Sequence, residues 1–113
     1  MNSRPTETQL RQPFIAALRK IGALVVPYVG SKMGQIGVAD VFIAHKDWSG
    51  FCEFKGPTTK VQPIQQKFLD DMRKRNVNAL LVRLLTKSTF RIVPGPIYSW
   101  QTGDDILKAL KEI

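Results

Sequence analysis

Asp40-Val-Phe-Ile-Ala-His-Lys-Asp-Trp-Ser-Gly-Phe-Cys-Glu-Phe-Lys55 is the stretch whose reading decides the fold. Its apolar run Val41-Phe-Ile-Ala44 is followed by a polar break, His45-Lys-Asp-Trp-Ser-Gly50. A second run, Phe51-Cys-Glu-Phe54, then ends at Lys55. Two short apolar runs around a polar, glycine-ended break predict a β-hairpin. Charges within such runs call for a reason, because a charge is rarely buried unless it is paired or holds a metal.

Side chains alternate faces along a strand, so Glu53 and Lys55 share one face and Cys52 and Phe54 the other. In an antiparallel hairpin the numbers of facing residues have a constant sum. Any odd sum puts Asp40 on the face of Glu53 and Lys55. A sum of 95 sets Asp40 opposite Lys55 and Phe42 opposite Glu53, with the two carboxylates as diagonal neighbours roughly 7–8 Å apart at the backbone. An even sum separates them, and hydrophobicity alone does not choose between the two.

Two carboxylates on one face suit Mg²⁺, which keeps several waters and uses one or two carboxylates together with substrate phosphate. Such an ion acidifies a bound water and stabilises charge on phosphate oxygens. Lys55 is placed to orient that water or to stabilise the phosphate. The same spacing also admits a purely structural hairpin, with an Asp40–Lys55 cross-strand pair and a solvated Glu53.

Gly37-x-x-Asp40, then Glu53-Phe-Lys55-Gly56-Pro57, then Gln65 at a helix start resembles the PD-(D/E)XK nuclease superfamily. Within it the chain is most similar to the virus-type replication-repair nuclease (VRR-NUC) domain in its small stand-alone form, from Glu7 to about Arg83. Ala39 stands where many relatives have proline. The resemblance implies a restriction-endonuclease-like core and a Mg²⁺- or Mn²⁺-dependent DNA endonuclease acting on branched DNA such as a four-way (Holliday) junction. It implies that Asp40, Glu53 and the Phe54 carbonyl hold the metal, with Glu7 as a third acidic group near it, acting through water. Lys55 and Gln65 complete the catalytic set, Gln65 holding water or phosphate. A phage or prophage origin fits the small form. A flap or single-strand nuclease, and a non-catalytic nucleic-acid-binding module on the same fold, are the competing functions.

The chain has 113 residues, which predicts one domain spanning 1–113. Hydrophobic content of 43% and charged content of 23% are ordinary globular values. No run approaches the roughly 20 apolar residues of a membrane span, and Met1-Asn-Ser-Arg-Pro5 lacks an apolar signal core, which predicts an intracellular protein without a membrane partner. One cysteine and one histidine argue against a structural zinc site. The net charge of +8, from 17 Lys and Arg against 9 Asp and Glu, predicts a polyanionic partner.

Thr6-Glu-Thr-Gln9 has the form of a capping box. Leu10, Phe14, Ala17, Leu18 and Ile21 recur at helical spacing, so a first helix is expected over about 6–21, with Pro13 kinking it or delaying its start. In that helix Glu7 either complements the helix dipole or joins the site. Residues 23–29 predict a strand that Pro27 confines to an edge or bulge. The glycine-rich stretch 30–37 predicts a loop whose Ser31 and Lys32 meet phosphate, or else an ordinary connection. Lys60, in the loop after Gly56, is a further candidate DNA contact. Pro63 opens a second helix running to about Arg75 with Ile64, Phe68, Leu69 and Met72 as its stripe. Strands follow at 79–85 and 90–93, a short extended segment at 97–100, and a final helix from Thr102. His45 is expected at the surface of the hairpin turn. The fold class is therefore α/β: a mixed central sheet flanked by helices, in the order α-β-β-β-α-β with smaller elements after it. A homodimer is expected, because two paired nicks in a junction need two metal centres related by near two-fold symmetry.

Overall fold

The computed structural model describes residues 5–27 and 39–112. The glycine-rich stretch with Ser31 and Lys32 lies outside them. The elements are α1 (Glu7–Lys20), β1 (Leu24–Pro27), β2 (Val41–His45), β3 (Trp48–Lys55), α2 (Pro63–Lys74), β4 (Ala79–Thr86), β5 (Thr89–Val93), β6 (Ile97–Ser99) and α3 (Gly103–Lys111). The six strands form one mixed sheet in the order β1-β2-β3-β4-β5-β6. Only β3 and β4 run parallel, and α2 makes the crossover that a parallel pair requires. Pro27, which has no N–H to give a ladder, sits at the end of edge strand β1.

Local chemistry sets the helix ends. Thr6 caps α1: its hydroxyl accepts from the Gln9 N–H at 3.2 Å, and the Gln9 side chain accepts from the Thr6 N–H at 2.9 Å. This start holds, so Pro13 lies inside a continuous helix and does not delay it. Gly22, at φ +94°, ends α1 as a Schellman turn, with its N–H donating to Arg19 and that of Ala23 to Leu18. Asn76, at φ 61°, ends α2 in the same way, its N–H donating to Arg73 and that of Val77 to Met72.

The sheet is covered unequally. On one face α1 and α3 enclose the main core, which includes Leu10, Phe14, Leu18, Cys52, Phe54, Val82, Phe90, Ile92, Ile106 and Leu110. Phe14 stands at its centre, edge-on to Phe54 at 5.6 Å, Phe90 at 5.1 Å and Trp100 at 6.1 Å. Tyr98 stacks on Phe90, so both late aromatics pack on the fold. A Cβ on Gly103 would clash with the Ala17 carbonyl, so glycine there lets α3 dock closely on α1. Burial pushes the Cys52 thiol far up, helped by the charges of Asp40 and Glu53, and Cys52 behaves as a small core residue. On the opposite face α2 buries Leu69 against Ala79 and Leu81.

The hairpin differs from expectation in two ways. Its turn is only Lys46-Asp47, and Trp48, Ser49 and Gly50 belong to β3. Phe42 therefore faces Phe51, not Glu53, and facing pairs sum to 93, not 95. The short turn sets His45 opposite Trp48 and so fixes the register. His45 is not at the surface. Its side chain is 8% exposed, and its Nε2 lies 3.2 Å from the Ile21 carbonyl.

Candidate functional site

The observed register is odd, so Asp40, immediately before β2, comes opposite Glu53. The Asp40 Oδ2 accepts a hydrogen bond from the Phe54 N–H at 2.8 Å. That bond ties the carboxylate to the backbone of β3, one residue beyond Glu53. Glu53 is 2% exposed and Lys55 9%, and they are the buried charged residues of the described chain. Lys55 Nζ stands 3.5 Å from Glu53 Oε2. The purely structural hairpin, with Asp40 paired to Lys55 and Glu53 in solvent, is thus not the arrangement found.

Gln65, in the first turn of α2, donates from Nε2 to Glu53 Oε2 at 2.8 Å. Its Oε1 accepts from the Gln62 N–H at 3.1 Å, which fixes the orientation of the amide. The other Glu53 oxygen, Oε1, is buried with no hydrogen-bond partner. Burial, and next the charge of Asp40, push the Glu53 carboxyl up to about 7, against the opposing pull of Lys55.

Arg11 was not singled out by sequence reasoning, yet it joins α1 to the site. Its Nη1 lies 3.8 Å from Glu7 Oε2 and 3.8 Å from Asp40 Oδ2, and its guanidinium sits 5.8 Å from the centre of the Phe54 ring. Its spacing of four from Glu7 was the available signal. Glu7 therefore stands behind Arg11 and lines a cavity of about 470 Å³ with Pro5, Leu10, Gly56, Thr59 and Leu85. Arg83 was also missed, inside what reads as an apolar strand. Its Nη1 donates to the carbonyls of Gly56 at 3.0 Å and Thr59 at 2.6 Å, holding the loop after Lys55. Lys60, in that loop, is exposed.

Among the described residues no group of three His, Cys, Asp or Glu side chains is close enough to hold a metal ion. The donors that do converge are two carboxylates and nearby backbone, a hard-oxygen set suited to Mg²⁺ with its own waters. The unpartnered, buried Glu53 Oε1 fits the same need. No protein-family model matches the sequence, and no curated protein does. The chemistry of these residues thus carries the functional reading. Among the described residues no helix is long and apolar enough to cross a membrane.

Proposed function

We propose that the protein is a divalent-metal-dependent endonuclease that hydrolyses phosphodiester bonds in branched DNA, with four-way junctions as its main substrate. The observation that supports this most is the buried Glu53, held by Lys55 and Gln65 opposite Asp40, with one oxygen left unpartnered. A cluster that costs this much desolvation contributes little to folding and is well suited to chemistry.

Asp40, Glu53 and the Phe54 carbonyl would hold Mg²⁺ or Mn²⁺, with Glu7 acting through water, and the ion when bound supplies a Lewis acid and an acidified water. The protein's own groups do the rest. Gln65 keeps Glu53 from rotating. The Phe54 N–H and Arg11 fix Asp40. Lys55 orients the attacking water and stabilises charge on the phosphate. The +8 net charge favours a polyanionic substrate in an intracellular setting, and a homodimer would supply two centres for paired nicks.

A panel of labelled duplex, flap, single-stranded and four-way DNAs, incubated with Mg²⁺ and with EDTA, tests the reading. Metal-dependent cutting of the junction, abolished by Glu53→Ala, is expected. Cutting by Glu53→Ala at the wild-type rate would refute the site. Binding without cutting would identify a non-catalytic module, and preference for flaps or single strands the alternative nuclease. Light scattering, beside product analysis on a supercoiled cruciform, tests the dimer: a strict monomer releasing only nicked circles rules out paired cutting.

A further inference from the structure

The sheet register sets Lys55 of β3 beside Arg83 of β4, and Arg83 beside Arg91 of β5. Facing residues in a sheet share a face, so these three cations form one row. Neighbouring strands lie about 4.8 Å apart, and the row spans about 10 Å of sheet starting at the candidate active site. The adjoining row is Glu53, Leu81 and Val93, and Leu81 and Val93 pack in the cluster around α2. The cations lie one step beyond that apolar cover, on the same face.

Like charges directly opposite one another destabilise a sheet. Lys55 has Glu53 as its partner, but among the described residues neither Arg83 nor Arg91 forms an ion pair. Holding loop 56–62 accounts for Arg83. It does not account for Arg91, which is exposed and aligned with it. An anion lying across both would remove the repulsion. A phosphodiester chain bound at Glu53 and Lys55 brings such anions in series.

We propose that Lys55, Arg83 and Arg91 form a track along which the sugar-phosphate backbone of the cut strand leaves the active site, with Arg91 contacting a phosphate beyond the scissile one. The assignment rests on the nuclease reading. Contacts of this kind position the strand and carry no sequence preference.

Fluorescence anisotropy in EDTA, with labelled duplex and four-way DNA over a range of salt, tests the track without cleavage. Arg91→Ala is expected to weaken binding and to lower the slope of log K against log salt by about 0.9 on duplex DNA. Arg91→Lys should retain most of that slope and Arg91→Glu lose more. Lys108→Ala, an exposed residue of α3 on the other face of the sheet, should leave it unchanged. Wild-type slopes for Arg91→Ala, or equal losses for Arg91→Ala and Lys108→Ala, would overturn the track while leaving the nuclease reading standing. A wild-type protein that neither binds DNA in EDTA nor cuts it with Mg²⁺ would overturn both.

Discussion

The Gln65 amide holds Glu53 from a fixed position: its Nε2 donates to Glu53 Oε2 at 2.8 Å while its Oε1 is anchored at 3.1 Å by the Gln62 N–H. A carboxylate on the sheet is thereby tied to the first turn of the helix that packs over it. The Gln62 N–H bond to the same amide completes the N-terminal end of α2, so one side chain both caps the helix and orders the site.

Gln65→Leu removes that bond from a buried carboxylate and should cost about 1–3 kcal/mol of stability. Gln65→Glu puts a second carboxylate at the same place. Two such groups cannot both ionise freely, so the pair titrates upward. The Gln65→Glu protein should melt near the wild-type temperature at pH 5 and well below it at pH 8. Thermal melts in EDTA at the two values decide this; an equal loss at both would show that the contact is not electrostatic.

Glu53 itself makes the metal-free protein pH-sensitive. Its carboxyl is raised from an ordinary value of 4.5 to about 7. Between those values the folded protein holds a proton that the unfolded chain has released. The stabilising contribution is therefore full below about pH 4.5 and is lost as pH rises through about 7. Its size is on the order of 3 kcal/mol. Glu53→Gln should flatten this part of the pH–stability curve and melt above wild type at pH 8, while abolishing cleavage. An unchanged curve in urea titrations of Glu53→Gln would place the titration elsewhere.

Arg11 sets a positive charge between Glu7 and Asp40. Arg11→Met keeps an apolar stem over Phe54 and removes that charge. Mg²⁺ should then bind several-fold more tightly, while turnover falls because Asp40 loses a fixed partner. Calorimetric Mg²⁺ titration separates the two effects from the cleavage rate. Unaltered Mg²⁺ affinity would mean that Arg11 does not act on the carboxylates.

Two glycines should respond differently to alanine. Gly103→Ala drives a Cβ into the Ala17 carbonyl and should cost about 1–3 kcal/mol, a fall in melting temperature on the order of 10 °C. Gly22→Ala meets open space but sits at φ +94°, so only the left-handed backbone is penalised, by about 1 kcal/mol. Equal losses in paired thermal melts would show that α3 does not press on α1 as described.

Much of this was legible in the chain. The capping box at Thr6 and proline at 63 set helix starts because these are local effects of backbone geometry and nearby hydrogen bonds. Period-two alternation put Asp40, Glu53 and Lys55 on one face for any odd register. The register itself depended on where the turn closed, and the polar look of Trp48-Ser-Gly50 concealed that these residues pair. Strand pairing is decided between segments and not within them, so no local pattern revealed that the His45 side chain would turn in against the Ile21 carbonyl.

The sequence by itself determined the helices, the strands and the shared face of Glu53 and Lys55, while the odd register of the folded hairpin brought Asp40 to that face. The tertiary structure alone decided which groups surround those charges. Docking α1 brought Arg11 to Asp40, docking α2 brought Gln65 to Glu53, and the parallel pairing of β3 with β4 set Arg83 beside Lys55. The physical reason is that long polar side chains take their partners from whatever packing places within reach, and the packing follows from burying Phe14, Leu69 and their neighbours on the two faces of the sheet.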